Sequence, residues 1–344
     1  MPVPALQYGI TEGYSPLIEK VKTRLKNRFN INTNSKSDAV LITTGGQQGI
    51  DLTCKVMCNP GDAVICEKPS FIGALNAFKA NGAEPVQIDM EDGGICIEKL
   101  EQALIKHKNA KIIYLIPTFH NPLGTTMPLD KRRAVLALAK KYGVIILEDN
   151  PYGELRFGGE EIPTIKSLDN DGQNSSVVYC STFSKIIAPA IRVGFISAPQ
   201  EIANKFVVAK QVNDVHTNMY FQIMCDLFLE KYNIEEHIEK IRVLYREKCL
   251  LMLDGMKKKF DKLGIKYTSP DGGLFLWCTL PENIDLAKFV KLSLDKKVAV
   301  VPGGTFLADE SEISHSFRVN YSFPSNKQII NGVDILAQVA GEYR

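Results

Sequence analysis

The sequence predicts an α/β fold, a mostly parallel seven-stranded sheet sandwiched by helices, followed by a smaller α+β domain at the C-terminal end. Three observations predict it. Strand-like apolar runs alternate with helical patterns from Ala39 to about Pro199. Turn residues punctuate the boundaries, as in Asn59-Pro60-Gly61-Asp62 and Asn81-Gly82. After Lys262 the texture changes to hairpin-like strands separated by glycines.

In chain order, the seven runs of the large sheet are Ala39–Thr43, Asp62–Lys68, Glu84–Met90, Lys111–Pro117, Gly143–Asp149, Ser176–Thr182 and Val193–Pro199. Leu129–Tyr142 reads as a helix with two faces, ended by Gly143. Tyr220–Phe260 keeps helical periodicity over a length that suits two helices or one long connector between domains. The second domain is expected to contain strands in Asp271–Trp277, Val298–Gly304 and Phe317–Phe323, and to close with a helix from Asn326 onwards. The division falls into residues 1–230 and 231–344.

Composition excludes several classes. At 344 residues, with 45% hydrophobic and 23% charged residues, the chain is neither disordered nor fibrous. A net charge of +2 gives no attraction to nucleic acid. The apolar runs are strand length, far short of a membrane span, and no leader pattern follows Met1. Eight cysteines in apolar patterns, with no CxxC pair, read as buried free thiols in a reducing compartment, so a cytoplasmic location is expected. Five histidines, none at ligand spacing from a cysteine, give zinc no support.

Chemistry concentrates at the strand ends. Ser176–Thr182 delivers Thr182, Ser184 and Lys185 to a sheet edge, with Arg192 seven residues beyond the lysine. Two hydroxyls and a guanidinium suit a phosphate, and a lysine beside it can form a Schiff base with an aldehyde cofactor that carries this phosphate. Leu41–Ile50 runs from a strand through two glycines into a helix, so backbone N–H groups at Gly46 and Gln47 can hold an anion. Asp149 ends the apolar strand Val144–Asp149 and is followed by Asn150-Pro151-Tyr152-Gly153, which forces a carboxylate to a strand's C-terminal end, where α/β folds bind ligands. Its neighbour Glu148 reads as structural.

Together these segments resemble the pyridoxal-phosphate (PLP) aminotransferases of fold type I, within the aminoadipate, kynurenine and aromatic aminotransferase branch. The resemblance runs from about Ala5 to the C-terminus, and the conjunction of motifs in order carries it. It implies that Lys185 forms the Schiff base and that Asp149 pairs with the pyridine nitrogen. It also implies that Asn121 (in Thr118–Gly124) and Tyr152 contact the ring oxygen and that Phe71 (in Glu67–Gly73) covers the ring. By the same resemblance Arg318, in Phe317–Phe323, binds the substrate's α-carboxylate, and Tyr8 reaches the phosphate of the other subunit in a homodimer. The implied activity is ping-pong transfer of an amino group between an L-amino acid and a 2-oxo acid. A PLP lyase or synthase on this fold, a ligand-sensing aminotransferase-like domain and an inactive relative are the alternatives. Family members usually carry several tens of residues before the segment matching Ala5–Tyr14, an arm that commonly covers the active site, supports the dimer and contacts the substrate side chain. The chain starts almost on that segment, so the absence of the arm is expected to affect activity and specificity.

Overall fold

The structure is a computed structural model that describes residues 2–33, 38–91, 93–169 and 175–342. Its large sheet has eight strands: β1 (Asp38–Thr43), β2 (Ala63–Lys68), β3 (Glu84–Glu91), β4 (Gly94–Ile95), β5 (Ala110–Leu115), β6 (Ile145–Asp149), β7 (Val177–Thr182) and β8 (Gly194–Pro199). They lie in the order β1-β8-β7-β6-β5-β2-β3-β4. The seven expected strands are present, and the eighth, β4, is a two-residue hairpin return on β3.

The sheet is parallel from β3 through β2, β5 and β6 to β7. β8 runs antiparallel to both β7 and β1, so β1 points the same way as β7. That arrangement sets the site. The C-terminal ends of β1, β2, β5, β6 and β7 share one edge with the N-terminal end of β8, and the strand ends and connections there carry the large-domain candidates of the expected cleft other than Tyr8.

Both faces of the sheet are covered, which is why its central strands are almost continuously apolar. Val64, Cys66, Ile112 and Tyr114 face one core cluster, while Ile65, Ile113 and Leu115 face the other. Successive side chains thus feed opposite layers. All eight cysteines are free and seven are buried.

The expected helix forms at Leu129–Tyr142, with Gly143 left-handed at its C-cap. Tyr220–Phe260 resolves into two helices, Met219–Lys231 and Ile234–Lys259. The longer one starts with Ile238 in the large-sheet core and ends with Cys249, Met252 and Met256 in a third core cluster. That cluster backs a four-stranded sheet of β9 (Lys266–Tyr267), β10 (Phe275–Thr279), β11 (Val301–Pro302) and β12 (Ser316–Asn320), ordered β11-β12-β10-β9. The strand expected over Val298–Gly304 shrinks to β11, because Pro302 has no N–H to extend the ladder and a 3-10 turn starts at Gly303. The C-terminal helix spans Asn326–Gly341 and opens with a capping box between Ser325 and Gln328. Among the described residues, no helix is long and apolar enough to cross a membrane.

Candidate active site

A cleft of about 340 Å³ opens at the shared strand edge, lined among others by Gly46, Gln47, Phe71, Asn121, Asp149, Tyr152, Thr182, Ser184, Lys185, Arg192 and Arg318. Eleven residues singled out in the sequence therefore meet in one place. Tyr8 does not join them. It is 83% exposed and packs edge-on against His216, with ring centroids 5.8 Å apart.

The turn after β7 is built by its own side chains. Thr182 Oγ1 accepts the Ser184 N–H at 3.1 Å and lies 2.9 Å from Ser184 Oγ and 3.1 Å from the Val193 carbonyl oxygen. Its hydroxyl is therefore engaged in shaping the 3-10 turn that presents Ser184 and Lys185. Arg192 Nη1 donates to Ser184 Oγ at 3.3 Å. Arg192 adopts a left-handed backbone at φ 52°, and its guanidinium lies so close over Gly45 that any side chain there would collide with it. Guanidinium, Ser184 hydroxyl and the N-terminus of the helix Gly45–Met57 thus converge on one anion-sized corner. The side-chain amide of Gln47 instead donates to the Gly73 carbonyl at 2.7 Å, which ties this corner to the Phe71 loop.

Asp149 is 4% exposed at the end of β6, and Tyr114 Oη donates to its Oδ2 at 2.9 Å. Burial pushes the carboxyl up to about 7, opposed by the Tyr114 hydrogen bond and the charge of Lys185. A buried carboxylate with such sparse compensation favours a cationic N–H partner. Burial, reinforced by the charges of Arg192 and Arg318, holds the Lys185 amine below its ordinary range, with Asp149 pulling the other way. This moves the amine toward its neutral, nucleophilic form. The Lys185 Nζ lies 6.0 Å from the Tyr152 ring centroid. Burial, then the Asp149 charge, pushes the Tyr152 hydroxyl up, which keeps it a donor.

Arg318 projects from β12 between the inward-facing Phe317 and Val319. Its guanidinium lies 4.1 Å from the Phe275 ring centroid and 5.1 Å from that of Phe306, and Nη1 donates to Asn121 Oδ1 at 2.6 Å. Glu148, beside Asp149, accepts the backbone N–H groups of Ile165 (2.9 Å) and Lys166 (2.7 Å), a structural task.

Sequence reasoning missed Tyr114 and Phe275. Tyr114 carries a signal, since a tyrosine inside a buried strand needs a partner for its hydroxyl, but the partner lies on the adjacent strand. Phe275 packs edge-on against Tyr152 at 5.7 Å and comes from the second sheet.

Residues 4–336 match the family of class I and II aminotransferases. The chain belongs to that family. It is 40% identical over 342 residues to aromatic-amino-acid aminotransferase 1 of Thermococcus litoralis, covering 98% of this chain and 80% of the relative. It is 36% identical to the 2-aminoadipate transaminase of Thermus thermophilus, over 96% of this chain and 80% of that one. Among solved structures, the kynurenine aminotransferase of Pyrococcus horikoshii, in complex with PMP, superposes with a TM-score of 0.93 at 38% identity, over 99% of this chain and 83% of the other. This aminotransferase depends on PLP, transferring an amino group between an amino acid and a 2-oxo acid.

The residues present fit PLP. The under-compensated Asp149 suits a protonated ring nitrogen, and the Arg192, Ser184 and helix-terminus corner suits a phosphate. Because folding raises the Asp149 carboxyl pKa, its contribution to apo-protein stability is greatest below the unfolded carboxylate pKa near pH 4 and declines as pH rises to about 7. The apo form of Asp149→Asn is therefore expected to unfold at a higher temperature than apo wild type at pH 8, with the gap closing at pH 4. Thermal unfolding of both at the two pH values checks it, and a gap independent of pH contradicts it.

Proposed function

We propose that Lys185 is the covalent anchor for PLP and the group that carries a proton away from the substrate Cα. PLP supplies the electron sink that lets that proton leave. Asp149 keeps the ring nitrogen protonated, and Tyr114 holds Asp149 in place. Phe71 covers the ring, while Asn121 and Tyr152 donate to its oxygen. Arg192, Ser184 and the backbone at Gly46 and Gln47 hold the phosphate, with Thr182 shaping the turn. Arg318, helped by Asn121, takes the α-carboxylate as a two-pronged pair. The observation that carries this reading is the meeting of Lys185, Asp149, Arg192 and Arg318 in one cleft, drawn from both sheets.

The names of the relatives support an aromatic or dicarboxylic L-amino acid as substrate. The exposed Tyr8 suits a homodimer in which it reaches the partner's phosphate, and the eight free thiols suit the cytoplasm. Residues 1–230 form the cofactor-binding part and 231–344 the part that carries the substrate arginine.

Arg318→Leu is expected to raise KM for the amino acid and the oxo acid together by about a hundredfold, as loss of a hydrogen-bonded charge pair costs about 3 kcal/mol, while PLP stays bound. Steady-state kinetics with both substrates varied tests it. A KM unchanged for either one removes Arg318 from carboxylate binding.

A further inference from the structure

Phe119 lies two residues before Asn121 and adopts a left-handed backbone with φ 52°, a conformation that costs any residue with a β-carbon. It is nonetheless buried, at 1% exposure. The Arg156 guanidinium lies over its ring at 4.6 Å, and Gly272 and Gly273 press against it from the C-terminal part of the chain. A β-carbon on Gly272 would strike both the Phe119 ring and the Leu155 carbonyl oxygen, and one on Gly273 would come within 2.7 Å of the Phe119 Cβ.

The glycine pair is held there. Gly273 N–H donates to the Leu155 carbonyl and Tyr321 Oη donates to the Gly272 carbonyl, each at 3.1 Å. Gly272 and Gly273 lead into β10, whose Trp277 faces Arg318 on β12, and Tyr321 directly follows β12. Further along the Phe119 loop, a β-carbon on Gly124 would lie 2.7 Å from the Phe275 carbonyl oxygen. The loop that carries Asn121 and the strands that carry Arg318 are therefore clamped together at Phe119.

A costly backbone retained beside a site points to a positional demand that ordinary packing does not make. We propose that Phe119, clamped by Gly272 and Gly273, is a positioning residue that fixes the spacing of Asn121 and Arg318 and so sets affinity for the substrate carboxylate. This rests on the reading of Arg318 as the carboxylate-binding residue. Asp149, Lys185 and Arg192 belong to the edge of β6, β7 and β8, outside the clamp, and of the cofactor contacts only Asn121 lies on the clamped loop, so PLP affinity depends on the clamp less than carboxylate affinity does.

Trp277, the single tryptophan, reports on this region, since its ring packs edge-on against Phe306 at 5.7 Å and the Arg318 guanidinium lies 5.1 Å from the same Phe306 ring. The experiment titrates holoenzyme with 3-phenylpropionate, which has a carboxylate and no amine, by Trp277 fluorescence, and measures PLP affinity by equilibrium dialysis. In Phe119→Ala and Gly272→Ala the Kd of the probe is expected to rise about tenfold or more, because displacements of about 1 Å are costly at such pairs. PLP affinity is expected to fall clearly less than probe affinity, as the phosphate and ring-nitrogen contacts are untouched and only the Asn121 contact to the ring oxygen is disturbed. Phe119→Leu, which keeps an apolar side chain, is expected to fall between, and it carries the comparison if the other two fail to fold. An unchanged probe Kd, or a matching loss of PLP affinity, overturns the clamp. Arg318→Leu separates the two readings. If wild type binds the probe, Arg318→Leu does not and the Phe119 variants bind normally, the clamp alone is wrong. If wild type does not bind it, or Arg318→Leu binds equally well, the carboxylate role and the clamp fall together.

Discussion

Replacing Lys185 by alanine is expected to lower turnover by about four orders of magnitude or more, since it removes a covalent anchor and a positioned proton carrier at once. The Lys185 amine is the one basic group that the turn after β7 presents beside Asp149 and Tyr152, and its surroundings hold it toward the neutral form that both tasks need. Binding of PLP should persist, because Arg192, Ser184, the helix N-terminus at Gly46 and Gln47, and Asp149 remain. The check is a multiple-turnover assay with an amino acid and a 2-oxo acid, together with the PLP content of the variant after gel filtration. Activity within tenfold of wild type contradicts the assignment of Lys185.

Asp149→Asn is expected to reduce kcat by two to three orders of magnitude at nearly constant KM. The amide keeps the shape but cannot balance a cationic ring nitrogen, and breaking a buried pair costs about 3–5 kcal/mol, at about 1.4 kcal/mol per tenfold. Tyr114 would then donate to an amide oxygen rather than a carboxylate, so the geometry at β6 survives while the charge does not. Steady-state kinetics separates the two effects. A kcat within a factor of about three of wild type contradicts the charge argument, and a large rise in KM with kcat preserved would move Asp149 from the chemistry to substrate binding.

Much of the fold was legible because burial leaves a strong pattern. The strands covered on both faces read as apolar runs, and Leu129–Tyr142 carried both its periodicity and its terminating Gly143. Elements of two residues have no period to read, which is why β4 went unseen and why the apolar run at Val298–Gly304 overstated β11. The eighth strand also hides in register: the pairings of Met90 with Ile95 and of Glu91 with Gly94 show that the chain has turned back on β3.

The site divides along the same line. Lys185, Asp149 and Arg192 sit at strand ends among turn residues, and local sequence displays that placement. Tyr114, Phe275 and Phe119 act through neighbours 35, 123 and 153 positions away, so their roles come from the side-by-side packing of β5 and β6 and from the meeting of the two sheets. Thr182 shows the reverse limit. Its type and position suit a phosphate, yet its hydroxyl is engaged in the turn that aims its neighbours. Tyr8 lies exposed, outside the cleft of its own chain, and nothing in its local sequence marks that placement.

The most direct test is chemical. Holoenzyme is reduced with borohydride, which fixes PLP to whichever amine holds it, then digested and mapped by mass spectrometry. The expected result is a phosphopyridoxyl mass increment on the peptide containing Lys185, lost when an amino acid substrate is added before the reductant. An increment on another lysine, or none on a protein that retains PLP, contradicts the account at its centre.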